Sequence, residues 1–266
     1  MPAPIPRDDK ADRAERAAVA PRHQLEAFFK ETAKEVLMAF ASNPNLQERD
    51  LLRLLERKDL PQEVLREIAR HKEAARNYAV RLALVRHPKT PRLVSLPLMK
   101  FLYLFDLVRV SQTPAVPADV KMVAEEAILK KLDALPRGER ISLARRGSGR
   151  VAAGLLVTED TEQIRAALDN PFLNEGHLLK VLSLEQLPRR AVEIIAQHAR
   201  WSGRYYLRLA LVRNPLTPFT RVLAFLPDLA VNDLRDICLD HRMPEPVRKY
   251  ILGHCYERLQ KKPPEK

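Results

Sequence analysis

The chain is 266 residues long, enough for one or two domains. Its 46% apolar and 30% charged residues exclude an intrinsically disordered chain, and no run approaches the roughly 18 apolar residues of a membrane span. A net charge of +12 points either to an acidic or nucleic-acid partner or to an arginine-rich solvated surface. Seven glycines against 21 prolines suit helices with proline stops better than hairpins, which need turn glycines, so the fold class expected is all-α. Two cysteines, Cys238 and Cys255, are too few for a disulfide framework or a cysteine metal site, which predicts a reducing compartment. Met1 to Lys10 has no apolar core of signal-peptide length, and a cytoplasmic location is expected.

Residues 1–21 are rich in Pro, Ala and charge and read as a disordered tail that could hold a helical turn around Ala11 to Ala18. Short amphipathic helices are predicted over Gln24–Ser42, Glu48–Arg57 and Glu63–His71, closed by Asn43-Pro44 and Leu60-Pro61. A nearly all-apolar helix, Ala75–His87, then runs into His87-Pro88-Lys89-Thr90-Pro91, because proline removes an amide donor and ends a helix. Further helices are expected from Pro91 to Phe105, Asp106 to Ser111 and Ala118 to Leu132.

The chain then repeats itself 127 residues later. Tyr78 to Pro91 returns as Tyr205 to Pro218, Asn43-Pro44 as Asn170-Pro171, and His71 as His198. From 43–133 to 170–260 the register needs no gap, and about 30 positions are identical, so the segment is a duplication. The expected division is 22–133 and 149–260 as sister halves, 134–148 as a basic connector without counterpart, and 261–266 as a basic tail.

Within each half, helix pairs recur, and such a pair can bury its apolar faces only by stacking on the next. Leu-Ala-Leu-Val-Arg followed by Asn-Pro-Leu-Thr-Pro, His-Pro-Lys-Thr-Pro in the first copy and Pro-Glu-Pro-Val-Arg at 244–248 resemble HEAT-like repeats, closest to the leucine-rich-repeat-variant branch of bacterial solenoids. The resemblance implies a right-handed α-solenoid of about a dozen helices acting as a binding scaffold. That branch can carry an iron–sulfur segment; the cysteine cluster it needs is missing from this sequence, and no cofactor is expected.

Candidate contacts follow from charge. Arg137, Arg140, Arg145 and Arg146, with Arg150 just beyond, are flanked by Gly138, Gly147 and Gly149 and could wrap a phosphate backbone; the alternative is an inter-repeat turn whose arginines cap helix ends. Arg81 and Arg208, with Arg204 one turn earlier and Arg213 at the helix end, could hold a carboxylate or phosphate, or pair internally with Asp106 and Asp233. Trp201 and Tyr206, which replace Ala74 and Ala79, could form a stacking surface, whereas Tyr205 is expected in the core. His71 and His198 are read as satisfying helix-terminal carbonyls rather than binding metal. No phosphate loop or catalytic constellation is written in the chain. The expectation is a non-enzymatic scaffold holding a protein partner in a concave groove, with non-specific nucleic-acid binding second and a HEAT-like alkylpurine DNA glycosylase third.

Overall fold

A computed structural model of the chain describes residues 9–239 and 245–260, without the side chains of 257–260. Among them are nineteen α-helical segments, three short 3-10 turns and no strand, so the all-α expectation holds. The helices outnumber the expected dozen because caps and prolines divide several runs. The apolar run Ala75–His87 is one example: Asn77 leaves helical geometry and splits it.

The chain forms two compact units, 1–128 and 129–266. The first holds α1 (Asp9–Val19), a 3-10 turn (Arg22–Phe28), α2 (Lys34–Ala41), α3 (Glu48–Leu55), α4 (Gln62–Arg70), α5 (Lys72–Arg76), α6 (Tyr78–Arg86), α7 (Arg92–Met99), α8 (Leu104–Gln112) and α9 (Ala118–Leu129). The second holds α10 (Arg137–Arg146), α11 (Gly149–Gly154), α12 (Thr161–Leu168), α13 (Glu175–Leu182), α14 (Arg189–Gln197), α15 (Ala199–Ser202), α16 (Tyr205–Arg213), α17 (Phe219–Phe225), α18 (Val231–Leu239) and α19 (Glu245–Gln260). Each element of the first unit has its counterpart 127 residues on.

Packing within a unit skips along the chain, as in a stack of repeats. In the first unit α1 lies on α2, α2 on α4, and α3 on α6; in the second α10 lies on α12, α12 on α14, and α13 on α16. Leu51, Leu54, Val64, Leu65 and Ile68 are fully buried, because α3 and α4 each concentrate their apolar residues on one stripe. In α6 the residues Val80, Leu84 and Val85 are buried and Leu82 and Ala83 half-buried, as an apolar circumference requires.

Two expectations are corrected here. Residues 9–19 are not a disordered tail but α1, which buries Ala17, with Ala20 buried just beyond it. Residues 137–146 are not an unmatched connector but α10, the counterpart of α1. The proof is a shared side chain. Asn43 is fully buried and donates from Nδ2 to the carbonyls of Ala17 (2.8 Å) and Ala20 (3.0 Å). Asn170 donates in the same way to Ala144 (2.8 Å) and Gly147 (3.0 Å). The carbonyls at a helix end have no intrahelical partner, and a buried carboxamide supplies one. Residues 1–8 of the expected tail and the basic tail 261–266 lie outside the described residues.

Candidate binding surface

The polar residue at each proline stop turns out to be a plug. Asn43 and Asn170 each also accept, on Oδ1, the backbone N–H two residues on, Asn45 (2.8 Å) and Phe172 (2.7 Å). His71 Nδ1 accepts the Glu73 amide (3.2 Å), which leaves Nε2 to donate to the Asn43 carbonyl (3.1 Å). His87 does the same with the Lys89 amide (3.2 Å) and the Arg57 carbonyl (2.8 Å), and its burial pushes the imidazole pKa down. Asn214, in the place of His87, accepts from Leu216 (2.9 Å) and donates to Leu182 (3.2 Å). His198 departs from its counterpart: its Nε2 meets Asp169 (3.2 Å), and Arg200 takes over the Asn170 carbonyl (3.2 Å). His71 and His87 therefore serve backbone ends, whereas His198, expected to do the same, meets a carboxylate because Arg200 occupies the Asn170 carbonyl; among the described residues no group of His, Cys, Asp and Glu could hold a metal.

The α10 arginines do not form a loop around an anion. Arg137 bridges Asp160 (2.5 Å) and Glu162 (2.9 Å). Hydrogen bonding from Arg137 holds the Asp160 carboxyl at about 2, while that carboxylate also caps α12 by accepting from the Glu162 and Gln163 amides. Arg140 is half-buried. Arg145, Arg146 and Arg150 are exposed, and Arg145 meets no acid among the described residues. Gly147 and Gly149 are packing positions, whereas Gly138 is exposed with open space around it. A Cβ on Gly149 would sit 2.2 Å from the Phe172 carbonyl oxygen, and one on Gly147 would sit 2.6 Å from that of Leu143.

Arg81 and Arg208 do not meet Asp106 and Asp233. Those acids accept instead from Tyr78 (2.5 Å) and Tyr205, whose phenol oxygens accept in turn from the Tyr103 and Ala230 amides (3.1 Å each). Burial first, then the bond to Asp106, raises the Tyr78 phenol; at Tyr205 the bond to Asp233 is the main cause. Arg81 lies over the Phe101 ring (5.4 Å). Arg208 pairs with Asp228, which occupies the place of Phe101, and donates to the Ser202 carbonyl (2.6 Å).

Trp201 is 1% exposed, donates Nε1 to the Leu168 carbonyl (2.9 Å), and carries Arg200 (4.3 Å) and Arg204 (5.8 Å) over its ring. It is a core residue and offers no stacking surface. Arg204 also reaches Glu175 (3.6 Å). Tyr206 is 63% exposed and Arg213 is exposed, so both remain available; Tyr205, expected in the core, is at the surface.

A surface that the sequence reasoning missed lies on the last helices. Phe219 and Tyr250 stack edge to face (5.7 Å) and are both exposed. Leu239, Leu252 and Tyr256 are exposed as well, and α19 buries only Ile251 and Cys255 among its described side chains. At the equivalent places the first unit has Arg92 for Phe219, Gln112 for Leu239 and Glu125 for Leu252. That contrast between copies was the available signal. Two shallow grooves of about 700 and 480 Å³ lie beside α3, and in both Arg53 is already held by Glu26 (2.6 and 2.7 Å). No helix is long and apolar enough to cross a membrane among the described residues. No family model, no curated protein and no solved structure matches the chain.

Proposed function

We propose that the protein is a non-enzymatic scaffold, each unit a short right-handed α-solenoid of HEAT-like helix pairs, that docks a protein partner. The repeat-like packing within each unit supports the solenoid reading. The observation that carries the partner reading is the exposed apolar set Phe219, Leu239, Tyr250, Leu252 and Tyr256, which in the other copy of the duplication loses all three aromatic rings and has Arg92, Gln112 and Glu125 at three of the five places. Packing common to both copies does not explain it, and exposed aromatics at one end of a repeat stack suit a protein interface. A cytoplasmic location remains part of this proposal.

The test is affinity capture from nuclease-treated lysate at about 0.15 M and about 0.5 M salt, comparing the native chain with Phe219→Ala/Tyr250→Ala. A defined partner retained at both salts and lost from the variant supports the reading. Equal capture by the variant, or loss on nuclease treatment, removes it. A second reading, contact with a DNA or RNA backbone, is favoured by one specific observation: the distribution of acids along the chain.

A further inference from the structure

Two stretches of the chain contain no carboxylate. Residues 74–105 hold Arg76, Arg81, Arg86, Lys89, Arg92 and Lys100, and residues 194–227 hold Arg200, Arg204, Arg208, Arg213 and Arg221, all without an Asp or Glu. With 34 acids in the chain, about four would fall in each stretch by composition alone. Shifted by 127 residues, the first stretch overlaps the second over 201–227, and the two cover α6 and α7 in one unit and α16 and α17 in the other.

Acids from neighbouring elements neutralise only part of this charge. Asp119 approaches Arg92 (3.7 Å), Glu175 approaches Arg204 (3.6 Å) and Asp228 pairs with Arg208. Arg76, Arg86, Lys100 and Arg213 are exposed and meet no acid among the described residues. The same acid-free stretches carry exposed aromatic rings: Phe101 is 59% exposed, with Arg81 over one face, and Tyr206 is 63% exposed, edge to face with Tyr205. Unneutralised exposed cations and exposed rings on the same acid-free helices are the chemistry that holds single strands, the cations meeting phosphates and the rings stacking on bases. An acidic peptide would use the cations but has no bases to stack on the rings.

We infer that each unit carries one contact for single-stranded nucleic acid, built from Arg76, Arg86, Lys100 and Phe101 in the first and from Arg213 and Tyr206 in the second. This rests on the nucleic-acid reading above and relocates it from α10 to the acid-free helices. The contact is sequence-tolerant, since backbone and ring contacts read no base edge.

Fluorescence anisotropy with labelled oligouridine and oligothymidine, each about 20 nucleotides, tests it on the full chain, with a duplex of equal length and polyglutamate as competitors. The expected result is tighter binding of single strand than duplex, with affinity falling steeply as salt rises. The quadruple variant Arg76→Gln/Arg86→Gln/Lys100→Gln/Arg213→Gln should flatten the log–log salt slope by about 0.7 per cation removed. Phe101→Ala/Tyr206→Ala should weaken binding about tenfold at unchanged slope. All six positions are surface sites, so melting temperatures serve as the control for folding. No binding to either oligonucleotide overturns the nucleic-acid reading together with the inference. Binding that survives both variants, or that Arg145→Gln/Arg146→Gln abolishes instead, keeps the reading and overturns the inference. Displacement by polyglutamate as readily as by oligonucleotide assigns the surface to an acidic protein and also overturns it.

Discussion

The two units keep one backbone plan and fill it differently. Both retain the buried asparagine that ends the first helix, Asn43 and Asn170, and both retain the tyrosine–aspartate clamp, Tyr78–Asp106 and Tyr205–Asp233. Around these fixtures the second unit puts Trp201 where the first has Ala74, and caps α12 with Asp160 where the first has Ala33. The first unit has no side-chain cap on α2 and holds the turn before it instead. Glu31 accepts from the Thr32 and Ala33 amides (2.8 and 2.9 Å), and Arg13 of α1 pairs with it (2.9 Å), much as Arg137 of α10 pairs with Asp160. What duplication preserves is the satisfaction of backbone ends; which side chain does it is free to drift.

The sharpest way to separate the units is Trp201→Ala. It removes the largest fully buried side chain and frees the Leu168 carbonyl, so a loss of about 3–5 kcal/mol confined to the second unit is expected. Two denaturation transitions, of which only one moves, would show it; a shift of both would deny the units their separate cores. Asn43→Ala and Asn170→Ala should be costly to a similar degree, about 2–3 kcal/mol each, because each strands two helix-end carbonyls. Unequal losses in chemical denaturation would mean that the two plugs are not equivalent.

Asp160→Ala should cost about 1 kcal/mol through the lost cap, while Ala33 offers no such loss in the first unit. Asp160 has a folded pKa below its unfolded one. Its contribution is therefore present above about pH 4 and disappears as pH falls toward 2. His87 provides the smallest contrast. Its folded pKa is also depressed, so the unfolded chain takes the proton first, and the first unit should lose stability as pH falls below about 6.5. Asn214 does not titrate, so the second unit has no such dependence at this position. His87→Asn should remove the difference in a pH series of melting temperatures.

Much of the fold is legible in the chain because prolines and the ungapped register mark helix ends directly. Asn43-Pro44 and Asn170-Pro171 fall where the helices stop. The reading broke down at α1 and α10. Charge dominates both sequences; α1 buries only Ala17, and the residues α10 buries, Ile141, Leu143 and Ala144, cluster within one turn and do not repeat along the helix as an apolar stripe. The duplicated asparagines held the missing information, since two identical buried plugs require identical partners upstream. At the candidate surface, exposure was legible for Tyr206 and Arg213 but not for Trp201. Size and polarity alone do not tell a ring filling the space left by an alanine from one facing solvent. Pairings such as Tyr78–Asp106 stayed hidden because the sequence separation of 28 residues is set by packing, not by helical periodicity.

The plugs have a further consequence. Asn43, His71, His87, Asn170, His198 and Asn214 each reach back between 23 and 32 residues and no farther. A module so joined answers only to the one before it. Such a chain can be lengthened by copying whole modules without renegotiating any earlier joint, and the tandem duplication seen in this gene product is the kind of growth that this local bookkeeping permits.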